Sequence, residues 1–205
     1  MPGTEPAGTT PTGPTPSQTI GPFFGHALPL PGGGQMAPAG HPDALTLHGR
    51  VLDGAGAPVP DALLEFWQTG PDDSPTQAPS SLFGRVPTDA DGHYAIRTLP
   101  PAAPAGHPTA APYIAVCVHA RGLLHHLFTR VYFPGNAAAN ATDPLLTALP
   151  DHRARTLLAR AEAPYRHRFD IRLRAAENST LVDQESHQAH EETVFLTYTP
   201  PTGRS

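Results

Sequence analysis

The sequence predicts an all-β protein: a single-domain β-sandwich of about seven to eight strands with an irregular N-terminal arm and one short helix. Three observations predict it. Apolar and polar residues alternate at period two in several short runs. Turn signals built on Gly, Pro and Asp separate those runs. The chain holds 27 Pro and 19 Gly, roughly a fifth of its 205 residues, which favours short strands and many turns over long helices. With 39% hydrophobic and 15% charged residues, it can bury one good core.

Residues 1–14 are mostly Pro, Thr, Gly and Ala, a composition that cannot bury enough apolar area to offset ordering entropy, so a disordered tail is expected. Residues 15–44 form an arm and loop. Within them, 15–24 (TPSQTIGPFF) combines two prolines that pin φ, Gly21, which permits close backbone approach, and the hydroxyls of Ser17 and Thr19. Such a segment is either a tail ordered by packing or a rigid wall of a site. The following stretch to Gly40 is full of breakers and reads as a surface loop.

The sandwich is expected over residues 45–199, with 200–205 as a tail. Leu45, Leu47 and Val51 alternate with polar residues over 45–52, and Asp53-Gly54 closes that strand. A second strand runs over 62–68. Asp91-Gly92 turns the chain into a run in which Tyr94 and Ile96 share a face. Runs 113–120 and 125–133 flank the turn at 121–124 as a hairpin expected at the centre of the fold. Asp143 as N-cap and Pro144 at the first helical position open a short helix, residues 145–149, which Pro150 stops. From Tyr165 to Arg174, Phe169, Ile171 and Leu173 face one side while Arg168, Asp170, Arg172 and Arg174 face the other. Residues 175–191 read as a polar excursion, and 193–196 as a last short strand.

Charge and cysteine usage exclude some classes of function. The formal net charge of -5 provides no basic patch for phosphate backbones, so nucleic acid is not an expected partner. All thirteen basic residues are Arg, which suits fixed ion pairs and equally reflects a compositional bias. One cysteine, Cys117, cannot pair internally and lies in an apolar run, where it is expected to pack as a small hydrophobe in a reducing compartment. The N-terminus lacks a basic region followed by an apolar stretch, and no window approaches eighteen consecutive apolar residues, so a cytoplasmic location is expected.

The residues alone do not complete a catalytic set. There are twelve His but no HxH, HExxH or CxxC, and no GxSxG elbow. Asp72-Asp73 and Glu191-Glu192 read as solvated charge. Arg130 lies mid-strand between Phe128 and Tyr132 and needs an anion, either a structural carboxylate or a bound acidic ligand.

Four motifs in order do carry a resemblance: 15–24 (TPSQTIGPFF), 64–68 (LEFWQ), 88–94 (TDADGHY) and 128–133 (FTRVYF). Together they resemble the intradiol ring-cleaving dioxygenases over roughly residues 15–174, and again near 192–195. That family is built on a β-sandwich. The resemblance implies a non-haem ferric ion held, in the catalytic beta-type chains, by two Tyr and by two His of an HxH on the strand that here begins at Tyr113. This chain has Tyr113 and Ala115 at those two positions, and no Tyr in 69–82 or 99–112. All four ligands are missing, so no metal is expected here and no catalytic residue in this chain; Fe(III) is expected only in a partner beta subunit.

In the family's alpha-type chains the same loss accompanies a role in completing the partner's pocket. The resemblance therefore implies that Thr19, Gly21, Pro22 and Phe23 wall that pocket and that Arg130 meets the substrate carboxylate. It further implies protocatechuate and O2 as substrates, 3-carboxy-cis,cis-muconate as product, and a hetero-oligomer of alpha–beta units. Two other expectations stand beside it. One is a stand-alone β-sandwich binding or structural module; the other is an active dioxygenase using Tyr113, His107 and His119.

Overall fold

The computed structural model describes residues 21, 24, 28–70, 81–173 and 191–197. They form two packed sheets. The first contains β1 (Leu45–Leu52), β4 (His93–Thr98), β7 (Arg160–Ala163), β8 (Arg166–Arg168) and β9 (Ile171–Arg172), in the order β4-β1-β8-β7 with β9 also on β1. The second contains β2 (Leu63–Thr69), β3 (Ser81–Pro87), β5 (Tyr113–His119) and β6 (Leu127–Tyr132), in the order β3-β2-β5-β6. The predicted sandwich is the observed architecture, with nine strands among the described residues.

Period-two alternation supplies the core. Leu45, Leu47 and Val51 of β1, with Tyr94 and Ile96 of β4, are buried against Leu64 and Phe66 of β2, Ile114, Val116 and Val118 of β5, and Val131 of β6. Each such aliphatic side chain contributes about 1.5–3 kcal/mol by leaving water, which is why the alternating face turns inward. The few polar groups in this layer are satisfied. Thr98 donates to the Gln68 side chain at 2.8 Å, and Gln68 donates to the Leu99 carbonyl at 2.8 Å, tying β4 to β2. The Tyr94 hydroxyl donates to the Phe169 carbonyl at 2.6 Å.

The expected strand over 165–174 is interrupted. Residues 166–168 and 171–172 both pair in parallel with β1, and Phe169-Asp170 bend between them. Gly49 of β1 makes this possible, because a Cβ there would run into the Phe169 carbonyl. The Phe169 amide donates to the His48 carbonyl at 2.8 Å, and the Arg50 amide donates to the Asp170 carboxylate at 2.9 Å.

The structure adds elements that the alternation does not predict. Strand β3 is broken in pattern by Gly84, whose missing Cβ makes room for the Met36 side chain, and it ends in Pro87. Strand β7 is exposed along its whole length, so it has no apolar face to detect. One short helix was expected after Asp143; between residues 134 and 155 the chain forms three, α1 (Ala137–Asn140), α2 (Pro144–Ala148) and α3 (Asp151–Arg155), after a 3-10 turn at Pro134–Asn136. Pro150 ends α2 as predicted but also serves as the N-cap residue of α3. The run 193–196 makes a single bridge, Leu196 to Phe128, in place of a strand.

The hairpin β5–β6 is observed in register, but β6 closes its sheet instead of lying at its centre. Its outer edge is covered by irregular chain. The Tyr132 amide donates to the Leu157 carbonyl at 2.9 Å, and the Leu196 amide donates to the Phe128 carbonyl at 2.7 Å. A second small core of Ala111, Tyr132, Leu146, Leu157 and Val194 forms where the helices meet this edge. No helix among the described residues is long and apolar enough to cross a membrane.

Candidate functional site

Of the residues singled out by the sequence, Tyr113, His119 and Arg130 lie on the outer face of the second sheet. Its inner face is spent on the core, so alternation sends Glu65, Trp67, Tyr113, Ala115, Cys117, His119, Phe128, Arg130 and Tyr132 the other way. Register then sets the neighbours: Glu65 opposes Arg85 and Cys117, Trp67 opposes Phe83 and Ala115, Ala115 opposes Arg130, and Tyr113 opposes Tyr132.

Arg130 is held from two sides. Its guanidinium lies over the Tyr113 ring, 4.1 Å from the centroid, close enough for a cation–π attraction. It also donates to the Tyr132 hydroxyl at 3.2 Å, and that hydroxyl donates to Asp143 Oδ1 at 3.2 Å. Burial pushes the Tyr132 phenol up to about 12, against the opposing effect of Arg130, so it stays protonated and can accept and donate at once. Asp143 is fully buried and accepts from the amides of Ala111, Leu145 and Leu146. The sequence marked Asp143 as a helix N-cap; its place behind Arg130 could not be read from that motif.

Beside this lies a second grouping. Glu65 accepts from Arg85 Nε at 2.7 Å, and its other oxygen is 3.7 Å from His119 Nε2. Cys117 Sγ is 3.4 Å from the same His119 nitrogen. Burial, then the Glu65 charge, pushes the thiol up to about 12, and burial holds the His119 imidazole below its ordinary value against Glu65. Cys117 is therefore buried but not merely hydrophobic packing. The signal for it in the sequence is Cys117 and His119 at i, i+2 on one strand face, a mixed thiol–imidazole pair that none of the HxH, HExxH or CxxC patterns describes.

At the edge of the same face, Trp67 and Phe83 are exposed with ring centroids 5.2 Å apart. Of the arm, Gly21 is described at φ 85 and Phe24 is buried, whereas Thr19, Pro22 and Phe23 lie outside the described residues. Tyr113, His107 and His119 are not brought together: the first and last share a face of β5 but are separated by its length, about 20 Å at ~3.3 Å per residue, and His107 is exposed in the preceding loop. Among the described residues, the groups of three or more His, Cys, Asp or Glu donors within mutual reach are Glu65–Cys117–His119 and Asp89–Asp91–His93.

Comparison with known proteins identifies the family. The family model described as "Dioxygenase" matches residues 20–175. The protocatechuate 3,4-dioxygenase alpha chain of Burkholderia cepacia is 37% identical over 195 residues, covering 82% of this chain and 96% of its own. The protein of the same name from Pseudomonas putida is 34% identical over 193 residues, with the same coverage. The solved dioxygenase domain of a dioxygenase carbohydrate-binding protein fusion from Streptomyces sp. SirexAA-E superposes with a TM-score of 0.55 at 31% identity, over 80% of this chain and 100% of that one. A sandwich whose outer sheet face gathers these side chains, matched by family and by relatives over most of its length, belongs to the intradiol ring-cleaving dioxygenases.

Proposed function

We propose that this chain is an alpha-type subunit of a protocatechuate 3,4-dioxygenase that binds no iron itself and completes the ferric site of a beta subunit. The partner's iron and O2 would cleave protocatechuate between its hydroxyl-bearing carbons to 3-carboxy-cis,cis-muconate. This chain supplies the wall of the pocket, Thr19, Gly21, Pro22 and Phe23, and one cation, Arg130.

The observation that carries the reading is the pair Tyr113 and Ala115 on the outer face of β5, where the family resemblance calls for two His. Ala115 offers no donor atom. The Tyr113 ring carries the Arg130 guanidinium, and the nearby Tyr132 phenol is already bonded to Arg130 and Asp143. Ferric iron calls for anionic oxygens and imidazoles, and a cation seated against the remaining phenol opposes it electrostatically. These residues do not fit a ferric ion. A partly buried guanidinium seated on Tyr113 and bonded to Tyr132 supports the reading of a carboxylated ligand, because its fixed positive charge favours an anion nearby.

Co-expression with a beta chain carrying the Tyr/Tyr/HxH set tests the proposal. The expected result is a hetero-oligomer that contains iron and cleaves protocatechuate, with no iron in the lone chain. A lone chain that forms no complex with the beta chain and leaves ring cleavage unsupported would refute it and favour the stand-alone module. Within the complex, Arg130→Ala removes a charge-assisted hydrogen bond of about 1.5–3 kcal/mol, which raises KM for the carboxylated catechol roughly 10- to 100-fold. KM for unsubstituted catechol is expected to change far less; equal changes would remove the carboxylate role.

A further inference from the structure

We propose that Glu65, Cys117 and His119 form a binding site for a thiophilic divalent cation of the zinc class on the outer face of β2 and β5. The site is distinct from the position of Tyr113 and Ala115, and it does not rest on the subunit reading above.

The donor geometry is the first support. Tetrahedral zinc, with sulfur at ~2.3 Å, imidazole nitrogen at ~2.0 Å and carboxylate oxygen at ~2.1 Å, holds its donor atoms about 3.3–3.6 Å from one another. Cys117 Sγ and His119 Nε2 are 3.4 Å apart, and His119 Nε2 and Glu65 Oε2 are 3.7 Å apart. All three donor atoms lie within 4.8 Å of one another, so binding needs small rotations of side chains and no backbone movement. Placement follows from the ladder: Cys117 and His119 share a face at i, i+2, and Glu65 is the cross-strand partner of Cys117.

Donor chemistry is the second. A thiol, an imidazole and one carboxylate select a borderline-soft ion over calcium or magnesium, which prefer oxygen alone. Arg85 engages Glu65 through Oε1, which orients Oε2 toward His119. That same bond steadies the ligating carboxylate, at the cost of one nearby positive charge. The exposed His126 ring, 5.6 Å from that of His119 centroid to centroid, lies outside this donor group and packs edge-on against Phe128, so water completes the coordination. On binding, the metal takes the place of the Cys117 thiol proton, which is released to solvent. The other donor grouping, Asp89–Asp91–His93, differs in kind: it is largely exposed, and Asp89 already accepts from the amides of Asp91 and His93 within its turn.

Cys117 is the only cysteine in the sequence, so any thiolate–metal signal reports this site. The full chain, freed of metal by chelation and kept reduced, is titrated with Cd²⁺ as the spectroscopic probe and with Zn²⁺ by calorimetry. The expected result is one equivalent bound, a thiolate-to-cadmium charge-transfer band in the ultraviolet, and protection of Cys117 from alkylation by Zn²⁺. Cys117→Ser abolishes the band, and His119→Gln weakens binding at least tenfold while circular dichroism confirms that both variants are folded. Absence of the band, or a band of equal affinity in wild type and His119→Gln, overturns the site and leaves a hydrogen-bonded trio or a bare thiol. Should Cys117→Ser fail to fold, the His119→Gln comparison decides alone.

Discussion

Asp143 spreads one carboxylate over three backbone amides and a phenol, and through that phenol it bears on Arg130. Oδ1 caps α2 through Leu145 and Leu146 and accepts from Tyr132, while Oδ2 accepts from Ala111. Asp143→Ala leaves buried donors unpaired as well as a helix uncapped, so a loss of about 3 kcal/mol or more is expected in urea unfolding. Asp143→Asn keeps one acceptor oxygen and should recover part of it. Tyr132→Phe removes only the bridge. It is expected to cost about 1–2 kcal/mol in stability. On the proposed subunit role, it should raise KM for the carboxylated catechol in the alpha–beta complex with little change in kcat, because it loosens Arg130 without removing its charge; a kcat loss equal to the KM effect would argue for a different role. Arg130 and the N-cap of α2 were legible as separate residues. Their connection was not, since Tyr132 and Asp143 are eleven positions apart and nothing local demands that they touch.

Among the elements, β1 shows how a strand's sequence shapes its neighbours. Its alternation buries Leu45, Leu47 and Val51 on one face, and Gly49 among them admits the Phe169 carbonyl that separates β8 from β9. Gly49→Ala would force that carbonyl out and should destabilise by about 3 kcal/mol, read as a lowered thermal midpoint. The strands with a clear apolar face, β1, β2, β4, β5 and β6, were all legible because burial of alternate residues is itself the pattern. Those that were missed lack that mark. In β3 Gly84 and Pro87 read as punctuation, and β7 is exposed throughout. Pro150 signals a helix end by its missing amide, and that same lack makes it acceptable at the start of α3.

For the whole molecule, two histidines link folding to pH. Burial holds His119 and His167 below their ordinary value, and His167 Nδ1 is buried without a hydrogen-bond partner among the described residues. Their unfolded-state value is ~6.5. Below it, the unfolded chain takes up protons that the folded one refuses, so stability falls as pH drops through about 6.5 and levels off above it. The urea midpoint at about pH 5.5 should therefore lie below that at about pH 7.5, and His167→Gln should flatten the difference. Glu162 and Asp89, held low by hydrogen bonds, act with the same sign but only in the more acidic carboxylate range, outside this window.

By itself the sequence determined the fold class, the inward faces of the main strands, the capped start of α2 and, through four ordered motifs, the family. Those features are local, written in alternation, turn chemistry and short contiguous runs. Only the tertiary structure decided that Arg130 rests on Tyr113 with Asp143 behind it, and that Glu65 joins Cys117 and His119. Cross-strand register makes those neighbours, and register is set by how two sheets bury their apolar faces together, a property of the packed chain rather than of any stretch within it.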